Sequence, residues 1–268
     1  MKQWLHTARA FPTMLKVGFA DAVAYRAEFL VWVLAYTMPI IMLSLWTAVA
    51  REEPVGRFDE QAFRAYFMAT LVIRLLSGSW VVWEMNMDVR QGTLQKRLLR
   101  PVHPLLTYLA ENLAALPMRL VVALPIALAC VLWLGTRALS HDVRQLALVP
   151  VAVLGAFLLM FGSMAAIGTL SLFWESSLAV FDLWLGLYTV FSGYVMPLEF
   201  FPPAFAGLVR CLPFRSMLAF PVEATLGLID LRQTLLDLLV QWLWIACFGL
   251  LAHFAWRRGM RRFSAYGG

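Results

Sequence analysis

The run LALVPVAVLGAFLLMFGSMAAIGTLSLF, residues 146–173, holds no charged side chain over 28 positions. A helix crosses the hydrocarbon core of a bilayer with about 20 apolar residues. This run therefore reads as a membrane span with length to spare. The composition of the chain agrees: 62% of its 268 residues are hydrophobic and 14% are charged. Soluble domains average about 45–50% and about 25%. A soluble core cannot absorb that much apolar side chain at this length, whereas lipid can. Eleven Trp and nineteen Phe suit helices with aromatic ends at the headgroups. The reading is an all-α integral membrane protein, one transmembrane domain over residues 1–268.

Working outward gives six spans. The others are Phe29–Val49 with Pro39 inside, Ala62–Trp83, Pro104–Leu134, Leu178–Pro197 and Leu235–Trp256. The third is long and carries Pro117 and Pro125, so it must tilt, kink or protrude. Ahead of the first, residues 1–28 show Lys2, Arg9 and Lys16 every seven positions, with Trp4, Phe11 and Leu15 on another face. That pattern fits an interfacial amphipathic helix, or an ordinary solvated one. Pro12 is expected to kink it or to start its second half. No cleavable signal peptide is expected, because Lys2, Arg9, Pro12 and Lys16 break the first apolar run. Residues 198–232 are apolar but broken by Pro202, Pro203, Pro213 and Pro221, and they hold Glu199, Arg210, Arg215 and Glu223. They are expected to form short re-entrant helices rather than a seventh crossing.

Charge sets the orientation. The net charge is +6. With the N-terminus inside, twelve Lys and Arg fall in inner segments and eight in outer ones. Arg257, Arg258, Arg261 and Arg262 open a basic tail over 257–268, at a helix end where such bias counts most. Both termini are therefore expected inside. Charge split among short loops argues topology, not nucleic acid. Cys130, Cys211 and Cys247 form no CxxC pair, so neither a disulfide framework nor a metal site is expected.

The segment 84–103 is the expected functional loop. Leu94, Leu98 and Pro101 fall at helical spacing, and Gly92 divides the segment. The result is a small helix-turn-helix, apolar on one side and basic on the other, suited to docking a cytoplasmic partner. The other reading is a connector whose arginines meet anionic headgroups. Arg74, Glu111 and Arg119 lie within apolar spans, at about 2.5–3.5 kcal/mol each unless paired or hydrated. Counted from the loop, Arg74 lies about 15 Å deep and Glu111 about 10 Å. They are expected to pair, either to fix packing or to line a polar path. Gly155, Gly162, Ala166 and Thr169 form a small-residue stripe, read as packing within the chain or, less favoured, a dimer contact.

The pattern Asp88-x-Arg90-x-Gly92-x-Leu94, then Leu98-Leu99-Arg100-Pro101, resembles the first cytoplasmic loop of the type-2 ABC exporter permeases, closest to the viologen-exporter-like subgroup. Residues 24–29 (AYRAEF) resemble the entry to that family's first span, the run Ser192–Pro202 with Leu212-Pro213-Phe214 is similar to the segment after its fifth span, and the tail Arg257–Gly267 resembles its closing pattern. The resemblance implies that two permeases, identical or paralogous, form the path and that two ATPase subunits dock on the cytoplasmic loops of a bacterial inner membrane protein. It implies coupling roles for Glu84, Asp88, Arg90, Gly92, Leu94 and Leu98. It also implies a re-entrant exit segment carrying Gly193, Tyr194, Pro197, Glu199, Pro202 and Pro213. ATP and Mg would be bound by the partner, since this chain has no GxxxxGK[ST] loop and only Lys2, Lys16 and Lys96. The implied substrate is hydrophobic or amphiphilic: a drug, a viologen-like cation or a lipid-like molecule.

Two other readings remain. One is an assembly partner without transport. The other is an intramembrane lipid-modifying enzyme, which needs clustered catalytic groups. His6, His103, His141 and His253 are scattered in sequence, and Glu84 with Asp88 is the nearest approach to a carboxylate pair.

Overall fold

The computed structural model describes residues 2–24, 37–135, 139–174 and 177–261. Among these, helix dominates, and the only β pairing is a lone bridge between Val55 and Phe58. The motif at 24–29 (apart from Ala24), the first part of the first expected span (29–36), residues 175–176 of the inner turn and the tail from Arg262 lie outside the described residues.

In chain order, α1 is Lys2–Ala24 and runs unbroken through Pro12. The expected division there does not occur. α2 is Met38–Glu52, with Pro39 in its first turn where the missing N–H costs nothing. α3 is Glu60–Ser77, capped by Asp59, whose carboxylate accepts from the Ala62 N–H at 2.7 Å. Gly78 and Ser79 break the helix, and it resumes as α4, Val81–Arg90. The second span therefore reaches seven residues past the expected Trp83, and Glu84 to Arg90 are its end rather than loop. α5, Leu94–Leu98, is one short turn.

The third span divides into α6, Pro104–Ala114, and α7, Leu116–Leu134. Pro117 sits in the first turn of α7, so the proline restarts the helix. α8 is Val143–Gly168, capped by Asp142 and continued by a 3-10 turn, Thr169–Leu172. α9, Leu178–Phe191, has 14 residues and stops before the expected Pro197, because Ser192 and Gly193 turn the chain. A 3-10 turn at Leu198–Phe200 and three short helices follow: α10 Pro203–Cys211, α11 Pro213–Met217 and α12 Ala219–Thr225. α13, Leu231–Met260, takes Arg257 and Arg258 into the helix.

Among the described residues, four stretches are long and apolar enough to cross a membrane: Glu60–Arg90, Pro104–Leu134, Val143–Leu172 and Leu231–Met260. The core gathers around α8. Its Leu159, Met160 and Met164 are buried against α3, α4 and α12 with Phe67, Val82 and Val222. The small-residue stripe faces α13 within the same chain. A Cβ on Gly155 would fall 2.2 Å from Gln241 Oε1, and one on Gly162 would meet Phe248. The Gln241 amide donates to Ala152 O at 3.0 Å and Ser216 O at 2.8 Å. Lipid offers those groups no partner, so the amide ties α8, α11 and α13 together.

Candidate functional site

The 84–103 segment is braced from below and open above. Gly92 has φ +72°, a left-handed conformation that turns the chain from α4 into α5. Asp88 holds the turn from inside. It accepts from Thr93 Oγ1, Arg97 Nε and Tyr108 OH, each at 2.6 Å. Arg97 continues the brace. Its Nη1 donates to Glu111 at 2.7 and 2.9 Å, and its guanidinium lies 4.0 Å from the centre of the Tyr108 ring. Burial alone would weaken Arg97's hold on its proton. Tyr108, Glu111 and Asp88 outweigh it, so the group is held above its ordinary value.

The coupling residues inferred from sequence divide into two sets. Leu94 is only 1% exposed and joins the core, with half-buried Leu98 packed against it. These two anchor the loop and are not displayed by it, because α5 lays its apolar side on the bundle. What the loop presents is Arg90, Gln91, Gln95, Lys96, Arg100 and Leu99, the last 87% exposed. Glu84 is on the surface of α4 and accepts from Asn112 Nδ2 at 3.4 Å. The same Asn112 accepts from Ser79 Oγ at 3.0 Å, at the break between α3 and α4.

The expected Arg74–Glu111 pair gives way to other partners. Extending the second span to Arg90 puts Arg74 roughly 24 Å from its end at 1.5 Å per residue, against about 10 Å for Glu111. Glu111 goes to Arg97, with Arg100 at 4.0 Å. Arg74, 5% exposed, lies over Tyr188 at 5.1 Å and Tyr194 at 6.0 Å. Arg119 donates to Gly78 O at the helix break and lies 6.0 Å from the Phe157 ring.

At the opposite end, the proline-broken segment is stitched to the bundle. Gly193, at φ +84°, lets its carbonyl accept from Tyr66 OH at 2.9 Å. Trp46 Nε1 donates to Val195 O at 2.9 Å. Pro197, Pro202 and Pro213 stand immediately before or at the start of the short helical turns. Glu199 pairs with Arg57 at 2.8 Å. A cluster that the sequence reading did not assemble lies deeper. Arg215 Nη2 donates to Glu223 at 2.6 Å and to Asp237 at 2.7 Å, all three largely buried. The signal was available, since Asp237 is an acid within the sixth expected span. Its partners are 14 and 22 positions away in sequence, beyond any periodicity.

The arrangement holds a basic, leucine-tipped turn rigidly at one end of a membrane bundle and ties an irregular segment at the other. Among curated proteins, none matches the chain. Residues 23–267 match the family described as ABC-2 family transporter protein. The chain belongs to the ABC-2 family, as a membrane subunit of an ABC transporter.

Proposed function

We propose that this chain is the permease of an ATP-driven exporter. It crosses the membrane six times with both termini cytoplasmic, and it pairs with a second permease, identical or paralogous. Two ATPase subunits bind Mg and ATP and dock on the turn at 90–100. The 193–230 segment forms the extracytoplasmic exit. The substrate is a hydrophobic or amphiphilic molecule. The observation that carries the reading is Leu99, 87% exposed on a turn whose base is fixed by Asp88 and Arg97. An exposed leucine ringed by basic groups suits a protein partner with an apolar pocket and an acidic rim. Likeness to the viologen-exporter-like subgroup supports amphiphilic cations, and the sequence is equally compatible with lipid-like cargo. The test is co-purification with an ABC ATPase and reconstitution in vesicles. Substrate-stimulated hydrolysis that disappears in Leu99→Asp is expected. Full stimulation in that variant would reject the docking role.

A further inference from the structure

A groove of about 470 Å³ runs between α6, α8 and α13, within the range of about 300–1,000 Å³ usual for small-molecule sites. Its walls are apolar, including Leu109, Phe161 and Ile245, and no Asp or Glu is among the described residues that line it. Gly249 faces open space: a Cβ there would meet nothing within 4 Å. At the end nearest the 84–103 turn stand His103 and His253, ring centroids 6.1 Å apart. One helical turn past His253, on the same face, α13 presents the exposed Arg257.

The helices that form this groove belong to three of the four described stretches long enough to span a membrane, so the groove lies at the depth of the hydrocarbon. An extended peptide laid in it would leave backbone groups unpaired. A wholly apolar solute would leave the basic end unused. An acyl chain ending in a negative headgroup satisfies both halves, and basic pockets between membrane helices bind such headgroups. We propose that the groove is a lipid site, holding one acyl chain of an anionic phospholipid with its phosphate against His253 and Arg257. The site is separate from the docking turn and does not depend on the ATPase.

Native mass spectrometry of the full chain, delipidated in detergent and titrated with dioleoyl phosphatidylglycerol or dioleoyl phosphatidylcholine, tests this. Wild type is expected to retain the anionic lipid in preference to the zwitterionic one. His253→Ala with Arg257→Ala is expected to cut that preference by roughly fivefold, the share of the one arginine charge removed. Gly249→Leu fills the groove and improves helix propensity. It is expected to keep the wild-type thermal midpoint and to lose retention of both lipids. Equal retention of the two lipids by wild type overturns the proposal. So does an unchanged preference in the double variant, or undiminished retention in Gly249→Leu.

Discussion

The guanidinium of Arg97 lies over the ring of Tyr108, 4.0 Å from its centre, while its Nε binds Asp88 and its Nη1 binds Glu111. One side chain thus joins the end of the second span, the docking turn and the third span. Removing it leaves half-buried Asp88 without its cation and Glu111 with only Arg100, 4.0 Å away. Arg97→Ala is expected to cost about 2–3 kcal/mol, below the 3–5 kcal/mol typical of a fully buried pair because the site is partly open. Arg97→Lys keeps the charge but loses the fork and the stacking, so it is expected to restore only part of that. Thermal midpoints in detergent measure both. A wild-type midpoint in Arg97→Ala would sink the bracing role.

Leu94 and Leu99, five residues apart, are expected to behave oppositely. Leu94 is in the core, so Leu94→Ala is expected to cost about 2–5 kcal/mol. Leu99 touches solvent, so Leu99→Ala is expected to stay within about 0.5 kcal/mol of wild type while weakening ATPase association. Unfolding and pull-down measurements on the two variants separate anchor from contact. If Leu94→Ala unfolds like wild type, α5 is not seated as described.

The difference between these two leucines marks what the sequence made legible. The four long helices followed from apolar length, and the position of the turn from Gly92. The spacing put Leu94 and Leu98 on one apolar side, but it did not say whether that side faces the bundle or a partner, because α5 is one turn long and its seating depends on tertiary contacts. The Arg74–Glu111 pairing failed for a related reason. Depth was counted from Trp83, but the chain breaks at Gly78 and Ser79 and then continues as helix to Arg90. The polar run that starts at Glu84 looks in sequence like an ending, although it is helical to Arg90. The fifth span shortened because Ser192 and Gly193 turn the chain, leaving Pro197 in irregular backbone. The Arg215 cluster went unseen because its members come from α11, α12 and α13, and no local pattern reports such contacts.

Gly155 tests the packing of α8, in the third of the four long stretches. Its missing Cβ is the space that Gln241 Oε1 occupies, and Gln241 is fixed by two bonds to carbonyls. Gly155→Val is expected to cost about 1–3 kcal/mol through overpacking. Gly186→Ala, with open space around it, is the control and is expected to gain up to about 1 kcal/mol. Equal midpoints for the two variants would show that α8 and α13 do not approach as closely as described.

His103 gives the stability a pH dependence. Burial, and then the neighbouring His253, hold its pKa below the ordinary histidine value. The unfolded chain therefore binds more protons than the folded one near and below that value. Stability is expected to rise with pH through the window just under about 6.5 and to be lost as pH falls through it. His103 also caps α6, accepting from the Leu105 N–H at 3.2 Å, and a protonated ring cannot do so. His103→Asn keeps a capping side chain without the titration. It is expected to flatten the midpoint-against-pH curve in lipid-free detergent, and an unchanged slope would place the titration elsewhere.

Arg215 is expected to be the fastening of the irregular segment. Its guanidinium bridges Glu223 on α12 and Asp237 on α13, and Asp237 also accepts from Gln233 at 2.9 Å. Two carboxylates share one cation away from water, so Arg215→Met leaves both uncompensated, at about 3–5 kcal/mol. Adding Glu223→Gln and Asp237→Asn removes the stranded charge and is expected to recover most of that loss. The local signature is amide exchange. In Arg215→Met, α11 and α12 are expected to lose protection well before α8, and in the triple variant to regain it. If α8 and α12 open together in every variant, the ion cluster only contributes to global stability and does not fasten this segment.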